Sequence, residues 1–134
     1  MIVVLDTNVV VSAFMNPAGR PAMVLRLAAT GTLRVAHDPR IMREYREVLA
    51  RPWFGFPSTA VEILLDEITH QGVAVSAPPL NVTLPDPDDQ PFLEVATAAG
   101  AALVTGNRRH FPSRVVGAVP VLTPAELLLT LAGR

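Results

Sequence analysis

Ile2-Val3-Val4-Leu5-Asp6-Thr7-Asn8 gives the strongest indication of the architecture, because an apolar run is followed at once by polar side chains. The apolar run is rich in β-branched residues and predicts a strand buried on both faces, as at the centre of a parallel sheet. Ligands of open α/β sheets bind at the carboxyl ends of such strands, which makes Asp6 a candidate catalytic or metal-binding carboxylate. The alternative is that Asp6 caps the next helix or begins an Asx-turn.

Helix and strand patterns alternate along the rest of the chain and predict a parallel α/β sheet. Further strands are expected at residues 33–36, 73–75 and 102–105. Helices are expected at residues 9–15, 21–30, 39–50, from about 59 to before 72, 90–99 and 124–132. Capping boxes are expected where Thr59 is followed by Glu62 and where Thr123 is followed by Glu126. Since no linker interrupts this pattern, a single domain over residues 1–134 is predicted.

The composition limits both the class of protein and the kind of metal site. Hydrophobic residues make up 50% of the 134 residues and charged residues 17%, which suits a compact domain and argues against disorder. The formal net charge of −1 means that a nucleic-acid partner would need a local basic patch or bound metal. The chain has no cysteine, and its three histidines form no H-x-x-x-H pair. A metal would therefore have oxygen ligands, as Mg²⁺ or Mn²⁺ prefers.

The sequence also predicts where the protein is found. The amino-terminal segment has no basic region, and Asp6 interrupts its apolar run too early for a signal peptide. No apolar stretch is long enough to span a bilayer. A cytoplasmic protein without a membrane partner is therefore expected.

Asp86-Pro87-Asp88-Asp89 places three carboxylates in four residues just before a predicted helix. One of them can cap that helix, but the others gain little from it and repel one another. A like-charge pair about 4 Å apart costs about 1 kcal/mol in water and about 4 kcal/mol at an effective dielectric constant of about 20. Either the loop is fully solvated or a cation offsets the repulsion.

Polar residues also follow the strand predicted at residues 102–105, where Thr105-Gly106-Asn107 stand. The carboxyl ends of parallel strands share one edge of the sheet, so Asp6, Asn107 and the start of the helix at Gln90 can converge there. The alternative is an ordinary turn, because Gly and Asn both tolerate a positive φ.

The helix predicted at residues 39–50 supplies a further candidate carboxylate. Its buried face is expected to contain Ile41, Met42, Tyr45, Val48 and Leu49. Glu44 lies at the edge of that face, where it can reach into a cleft, whereas Glu47 points outward. The alternative for Glu44 is an ion pair with Arg40 on the preceding turn, worth only a few tenths of a kcal/mol.

Basic residues are concentrated in two places. One group lies on the polar side of the same helix and just after it, at Arg40, Arg43, Arg46 and Arg51. The other group follows the second polar cluster, at Arg108, Arg109, His110 and Arg114. If both groups flank the acidic residues, they could hold a phosphodiester backbone beside a metal. The alternative is that they are solvated surfaces, which is the commoner meaning of such charge runs.

Taken together, these residues resemble the PIN-domain family of metal-dependent ribonucleases, and within it the VapC-like toxins of toxin–antitoxin pairs. The matching motifs are Val4-Leu5-Asp6-Thr7-Asn8-Val9 with Ser12, then Glu44, then Asp89-Gln90-Pro91-Phe92-Leu93-Glu94-Val95-Ala96, and finally Leu103-Val104-Thr105-Gly106-Asn107. Each motif is weak by itself, but their order and spacing fit from Ile2 to Leu128 and make the resemblance fairly specific.

The resemblance implies a fold and a catalytic site. The fold is a three-layer α/β/α sandwich with a central, mostly parallel sheet. Asp6, Glu44 and Asp89 would be the catalytic carboxylates and, together with Asn107, would bind one or two Mg²⁺ or Mn²⁺ ions. The residues expected to orient these ligands or water around them are Thr7, Asn8, Ser12, Thr105 and Asp86.

The resemblance also implies partners. The substrate would be single-stranded RNA, and the residues expected to bind its backbone are Arg43, Arg108 and Arg109. VapC-like proteins commonly form homodimers and pair with an antitoxin, so both partners are expected here. The apolar helix at residues 124–132 belongs either to the core or to such an interface.

Asn107 departs from the family, which usually has a fourth aspartate at this position. Asparagine can bind a hard cation through its carbonyl oxygen, but it adds no negative charge and cannot act as a base. Asp86 or Asp88 could compensate for the lost charge. A PIN-fold module with impaired catalysis, which binds RNA or a partner protein, is therefore the second interpretation.

A third interpretation is a phosphotransferase with Asp6 as its nucleophile, as in haloacid dehalogenase-like phosphatases. Those proteins usually carry a second aspartate two positions later, where this chain has Asn8. They also use a lysine, whereas this chain contains arginines and no lysine. The sequence therefore favours the nuclease.

Overall fold

The computed structural model describes residues 1–133, which contain five β-strands and seven α-helices. The strands are β1 (Ile2–Leu5), β2 (Arg34–His37), β3 (Val73–Ala74), β4 (Ala102–Val104) and β5 (Val121–Leu122). The helices are α1 (Thr7–Met15), α2 (Arg20–Ala29), α3 (Pro39–Leu49), α4 (Ser58–Gln71), α5 (Gln90–Ala99), α6 (Ser113–Val116) and α7 (Pro124–Ala132). Short 3₁₀ helices precede α5 and follow β4, at Pro87–Asp89 and Arg108–His110. None of the helices within residues 1–133 combines the length and the apolarity that crossing a bilayer requires.

All five strands are parallel and lie in the order β3-β2-β1-β4-β5, so the first strand of the chain is the central one. Val3 in β1 pairs with Val35 in β2 on one side and with Ala102 in β4 on the other. Val3, Val4 and Leu5 are completely buried, as expected for a strand with apolar neighbours on both faces. The predicted central strand and the predicted parallel sheet are both confirmed.

Helices cover both faces of the sheet and make three layers. Parallel crossovers are right-handed, so the connections that run from β1 to β2 and on to β3 place α1, α2 and α4 on one face, while α3 also contacts α5 of the other layer. The connections that run the other way, to β4 and β5, place α5 and α6 on the opposite face. The contacts agree, because α5 packs against β1, β2 and β4, whereas α2 packs against α1, α4 and α7. The expected α/β/α sandwich is therefore confirmed.

Two short elements have no counterpart in the prediction from sequence. β5 has two residues and α6 has four, which is too short to show a periodic pattern. Hydrogen bonds to the neighbouring strand define β5, because Leu103 N donates to Pro120 O (2.8 Å) and Thr105 N donates to Leu122 O (2.9 Å). Such long-range bonds leave no trace in the local sequence. Elsewhere the predicted boundaries shift by a residue or two, as at α1, which begins at Thr7.

One of the two expected capping boxes is present. At the start of α7, Glu126 N donates to the Thr123 hydroxyl (3.2 Å), and Thr123 N donates to Glu126 Oε1 (2.9 Å). At the start of α4 the expected box of Thr59 and Glu62 is wrong. The chain enters that helix earlier, after Pro57, and no side chain caps it.

The predicted apolar face of α3 is confirmed, since all of its expected residues are buried or half-buried. Tyr45 is completely buried, and its hydroxyl donates to the backbone oxygen of Leu5. This bond fastens α3 to the end of the central strand. Glu44, the residue before Tyr45, is thereby held close to the carboxyl end of β1.

The direction of the connections reverses between β1 and β4, because β2 and β3 lie on one side of β1 while β4 and β5 lie on the other. A crevice forms at such a switch point, since neighbouring strands send their connections to opposite faces. Asp6 follows β1 and Thr105 follows β4, so both stand at this crevice. The fold thus brings together the two polar clusters of the sequence.

Candidate active site

Asp6 lies at the end of the central strand, where its backbone N–H still donates to Val104 O (2.9 Å). It occupies the position before α1, but its carboxylate forms no capping hydrogen bond with that helix. Asp6 Oδ2 instead accepts a hydrogen bond from the Thr105 hydroxyl (2.7 Å). The capping interpretation of this side chain is therefore wrong, and its carboxylate is held across the switch point.

Thr105 is completely buried and connects the two strand ends. Besides donating to Asp6, its hydroxyl oxygen accepts the backbone N–H of Asn107 (3.0 Å). Asn8 makes a second link, because its Oδ1 accepts the backbone N–H of Gly106 (3.1 Å). These bonds fix the loop after β4 against the start of α1, and they confirm that the two polar clusters meet.

Glu44 reaches the same crevice from α3. The hydroxyl of Thr7 donates to Glu44 Oε2, which orients this half-buried carboxylate toward the end of β1. The alternative ion pair with Arg40 is wrong, because Arg40 binds Asp38 and Glu94 instead (2.7 Å to each). Glu44 therefore has no arginine partner within residues 1–133.

The acidic loop approaches from the opposite side. Asp86 caps the 3₁₀ helix, because its Oδ1 accepts the backbone N–H of Asp88 (2.9 Å). Asp89 is buried, and its Oδ2 has no hydrogen-bond donor within residues 1–133. His110 Nδ1 lies 3.4 Å from that oxygen, which is within ion-pair range but does not meet the geometry of a hydrogen bond. One oxygen of a buried carboxylate is thus left without a partner.

The long segment before the acidic loop is held to α5 by two side chains. Glu94 Oε2 accepts the backbone N–H of Leu80 (2.9 Å), and Gln90 Nε2 donates to Leu80 O (3.1 Å). The backbone N–H and C=O of Leu80 are therefore both hydrogen-bonded, as they would be if a neighbouring β-strand paired with them. This attachment restricts the path by which the chain reaches Asp86.

A cavity of about 400 Å³ lies where these elements meet. Its acidic lining residues are Asp6, Glu44, Asp86, Asp88 and Asp89. Its other polar or charged lining residues are Thr7, Asn8, Ser12, Arg51 and His110. Five carboxylates thus share one cavity with a single arginine and a single histidine.

Burial and mutual repulsion disturb the carboxylates of this acidic cavity. Burial raises the pKa of both Asp6 and Glu44, although the hydrogen bonds from Thr105 and Thr7 offset part of each shift. The pKa of Asp89 rises to about 7, chiefly because of burial and then because of the nearby charge of Asp6. The nearby imidazole of His110 opposes this rise in the pKa of Asp89. The charged forms of Asp6, Glu44 and Asp89 are therefore disfavoured unless further positive charge is present.

The donor set of the acidic cavity suits a hard divalent cation. Asp89 Oδ2 is a buried oxygen without a donor, and the other acidic groups are oxygen donors whose charges repel one another. Within residues 1–133, however, no three Asp, Glu or His side chains are already arranged around one point to hold a metal ion. The donor chemistry therefore fits Mg²⁺ or Mn²⁺, and binding would have to draw the carboxylates closer together.

Five of the predicted site residues do not line the acidic cavity, and one of them is Thr105, which lies buried behind Asp6. Asn107 caps the 3₁₀ helix after β4, because its Oδ1 accepts the backbone N–H of Arg109 (3.1 Å), and its Nδ2 lies 3.2 Å from His110 Nε2. Arg43 and Arg109 are exposed outside the cavity. Arg108 forms an ion pair with Glu126.

The two basic residues of the cavity are absent from the predicted site. Arg51 and His110 both line the cavity, although the sequence indicates them only as members of basic runs. His110 could have been found from its spacing, since it stands one helical turn after Asn107 beside the second polar cluster. Arg51 lies beyond the end of α3, where helical periodicity no longer predicts the direction of a side chain.

The chain was compared with known families and structures. The PIN domain family matches residues 2–109. The fold is similar to a chain in the crystal structure of VapBC2 from Rickettsia felis, which was solved bound to a DNA fragment from the VapBC2 promoter. The TM-score is 0.61, and the match covers 92% of this chain and 98% of that chain with 16% sequence identity. A search of curated protein sequences found no match. Because the family match spans the central strand, the acidic loop and both polar clusters, this chain belongs to the PIN-domain family.

Proposed function

We propose that this protein is a metal-dependent endoribonuclease that cleaves single-stranded RNA. The observation that carries the proposal is the acidic cavity, where five carboxylates face one arginine and one histidine. Carboxylates are rarely buried unless they are paired, and here Asp89 has an oxygen with no donor among residues 1–133. An excess of buried negative charge is tolerated when a cation joins it. Membership of a family that the sequence motifs associate with ribonucleases supports the same chemistry.

Asp6, Glu44 and Asp89 are the proposed ligands of Mg²⁺ or Mn²⁺. When bound, the ion would supply Lewis acidity toward the phosphate and a lowered pKa for water. Thr105 and Thr7 hold one oxygen each of Asp6 and Glu44, so these carboxylates are oriented before substrate arrives. This positioning is what hydrolysis of a phosphodiester requires of the protein.

Three further residues have supporting roles in this proposal. Asn8 holds the loop after β4 through Gly106, which keeps Thr105 in reach of the catalytic carboxylates. Ser12 is an exposed hydroxyl on the cavity wall, where it can bind water or a phosphate oxygen. Asp86 adds negative charge from the acidic loop and compensates for the missing carboxylate at Asn107.

Single-stranded RNA is the proposed substrate because of the size and surroundings of the cavity. A volume of about 400 Å³ suits one nucleotide rather than a base-paired duplex. Arg43 and Arg109 are exposed and form no ion pair with a carboxylate of residues 1–133, so both can bind backbone phosphates. Arg108 is the weakest of the proposed RNA contacts, since binding there competes with Glu126.

The proposal includes protein partners and a compartment. The fold is shared with VapBC2, and the motifs resemble those of VapC-like toxins. We therefore expect an antitoxin partner, a homodimer and action in the cytoplasm. α7 is available for such contacts, because Leu127 is buried in the core whereas Leu129 is 73% exposed.

A second candidate function is a PIN-fold module with impaired catalysis. The observation that favours it is Asn107, which supplies no charge and whose oxygen caps a 3₁₀ helix rather than lining the cavity. Such a protein would bind RNA or a partner without cleaving. The two candidates differ in whether the wild-type protein turns over RNA.

The test is cleavage of labelled single-stranded RNA by purified protein in Mg²⁺, Mn²⁺ or EDTA. We expect cleavage with either metal and none in EDTA. Asp6→Asn should lower the rate by at least about 100-fold, because losing a direct metal ligand costs no less than losing one of its supporting bonds. Asp66→Asn is the matched control, since Asp66 is an exposed carboxylate on α4 and should leave the rate unchanged.

Asn107→Asp separates the two candidates. If the wild type stays inert on many RNAs while Asn107→Asp cleaves them, the impaired module replaces the nuclease. If the wild type cleaves and the variant is only faster, the nuclease proposal stands and residue 107 limits its rate. Cleavage that persists unchanged in Asp6→Asn would assign the activity to a contaminating nuclease.

A further inference from the structure

Trp53 lies in the loop between α3 and α4 and is the only tryptophan of the chain. It is 75% exposed, the largest exposure among the big apolar side chains of residues 1–133. A large aromatic surface in water is unfavourable by itself, since burying a tryptophan side chain is among the most stabilising single events in folding. A ring kept in solvent beside a proposed active site is therefore a candidate contact for a ligand.

The loop that carries Trp53 is anchored by aromatic packing. The rings of Phe54 and Phe56 are stacked, with centroids 4.9 Å apart and an interplanar angle of 3°. Phe56 in turn packs against Phe14 of α1 at 5.1 Å. Trp53 is the outermost ring of this series, 6.3 Å from Phe54. The half-buried rings hold the loop in place, which leaves Trp53 free of any packing role in the core.

Arg51 connects this exposed ring to the acidic cavity. It lines the cavity, and its guanidinium carbon lies 5.8 Å from the centroid of the Trp53 ring. It forms no ion pair with any carboxylate of residues 1–133, although five of them line the same cavity. The cation is thus placed between the aromatic ring and the proposed site of phosphate cleavage.

We propose that Trp53 and Arg51 form a stacking platform for an unpaired base of the RNA, next to the phosphate held at the acidic cavity. This inference rests on the proposed ribonuclease function. An aromatic face binds any unpaired base by stacking, and a neighbouring guanidinium can stack or bind the adjacent phosphate. Base-paired RNA keeps its bases stacked on one another, so the platform selects single strands.

Charge favours RNA over a protein as the occupant of this surface. An apolar protein segment would contact only the Trp53 ring. A nucleotide would contact both the ring, through its base, and the Arg51 guanidinium at the cavity, through its phosphate. The platform also explains how RNA is retained at a cavity whose own charge is strongly negative. Stacking contributes binding that does not depend on attraction between RNA and the carboxylates.

The experiment uses the fact that Trp53 is the single source of tryptophan fluorescence. The Asp6→Asn protein in Mg²⁺ is titrated with an oligoadenylate of about 12 nucleotides, which remains uncut. We expect saturable quenching of the fluorescence. In the same background, labelled RNA should bind about tenfold more weakly to Trp53→Ala, while Trp53→Phe should recover most of the affinity. Ile63→Ala, which removes another exposed apolar side chain and lies on α4, should bind RNA normally.

RNA with abasic sites tests whether Trp53 contacts the RNA by stacking on a base. Abasic RNA should bind the Asp6→Asn protein more weakly than intact RNA, but Trp53→Ala in that background should bind both equally. If the wild type cleaves RNA, but RNA binding does not quench the fluorescence of Trp53 and Trp53→Ala keeps its affinity for RNA, the platform is overturned and the nuclease stands. If Trp53→Ala loses only an association with a protein, the loop is a protein-docking surface and the platform is also overturned. If the wild type neither binds nor cleaves RNA, both proposals fail together.

Discussion

Two groups of buried carboxylates differ in whether an arginine lies among them. Asp38 and Glu94 in one group, and Asp6 and Asp89 in the other, are equally buried, with exposures between 4 and 7%. Arg40 lies 2.7 Å from an oxygen of both Asp38 and Glu94. Within residues 1–133 no arginine lies within ion-pair distance of Asp6 or Asp89.

The pKa values of Glu94 and Asp89 shift in opposite directions. Burial by itself would raise the pKa of Glu94, but hydrogen bonds from Arg40 and from the backbone of Leu80 outweigh it and lower that pKa. Burial and then the nearby charge of Asp6 raise the pKa of Asp89 to about 7, and no arginine within residues 1–133 pairs with Asp89 to oppose that rise. The neutralised group stabilises the fold by fixing the loop before the acidic residues. On the proposed function, the group without arginines is left for a metal ion to neutralise, whereas the group that contains Arg40 is structural.

The largest predicted effect is the loss of stability when Arg40 is removed from Asp38 and Glu94. Arg40→Met should lower the free energy of unfolding by about 3 kcal/mol, because it leaves two buried carboxylates without a cation. This is the low end for a broken buried ion pair, since the Arg40 side chain is 41% exposed and each carboxylate keeps one backbone N–H donor. Urea unfolding at neutral pH measures this. Arg46→Met is the control, since Arg46 and Glu62 are both more than half exposed, and its effect should stay within about 0.5 kcal/mol. An equal loss of unfolding free energy in Arg40→Met and Arg46→Met would show that the ion pairs of Arg40 are no more stabilising than an exposed one.

The next effect is a pH dependence of the metal-free protein that arises in the acidic cavity. The folded pKa of Asp89 lies above its unfolded value, so its contribution to stability is present at low pH and is lost as pH rises from about 4 through about 7. In EDTA, Asp89→Asn should therefore gain about 2 kcal/mol relative to the wild type on going from pH 5 to pH 8.

Comparison of the two proteins isolates Asp89 from the other titrating groups. Burial lowers the pKa of His37, which makes the fold less stable as pH falls, but this contribution is the same in the wild type and in Asp89→Asn. Glu94→Gln should not reproduce the gain at pH 8, because the pKa of Glu94 is lowered rather than raised. A constant difference between wild type and Asp89→Asn from pH 5 to pH 8 would show that Asp89 is not perturbed.

The smallest effect is stabilisation by metal. Mn²⁺ at ten times its dissociation constant should raise the free energy of unfolding by about 1.4 kcal/mol, measured as a rise in Tm at pH 8. Asp6→Asn and Asp89→Asn should lose this rise, whereas Glu94→Gln should keep it, because Arg40 already neutralises that part of the fold. A similar rise in all these proteins would place the metal outside the acidic cavity.

The place of a side chain could be predicted from the sequence where it depends on the strand or helix next to it. Asp6 follows a strand whose apolar run is unmistakable, and Glu44 stands at the edge of a clearly amphipathic helix. Asp89 directly precedes α5, which begins and ends where the sequence predicts. Periodicity fixes the direction of Glu44, and the ends of β1 and α5 fix the places of Asp6 and Asp89 in the chain.

Residues in loops could not be assigned in this way. Asn107 is predicted as a metal ligand, but the structure uses its side chain to cap a 3₁₀ helix and to contact His110. Arg51 and His110 reach the cavity although only their general positive charge is apparent in the sequence. The direction of such side chains depends on hydrogen bonds to residues far away along the chain, which no local pattern encodes.

The sequence by itself determined the central strand, the parallel α/β class and the identity of the acidic residues, because apolar periodicity and abrupt changes of polarity are local properties. Only the tertiary structure decided which carboxylates are neutralised. Arg40 lies four residues before Glu44 and yet pairs with Glu94, which is distant in sequence. The packing of α3 against α5 produces that pairing, and it leaves Asp6, Glu44 and Asp89 together with no arginine partner among residues 1–133.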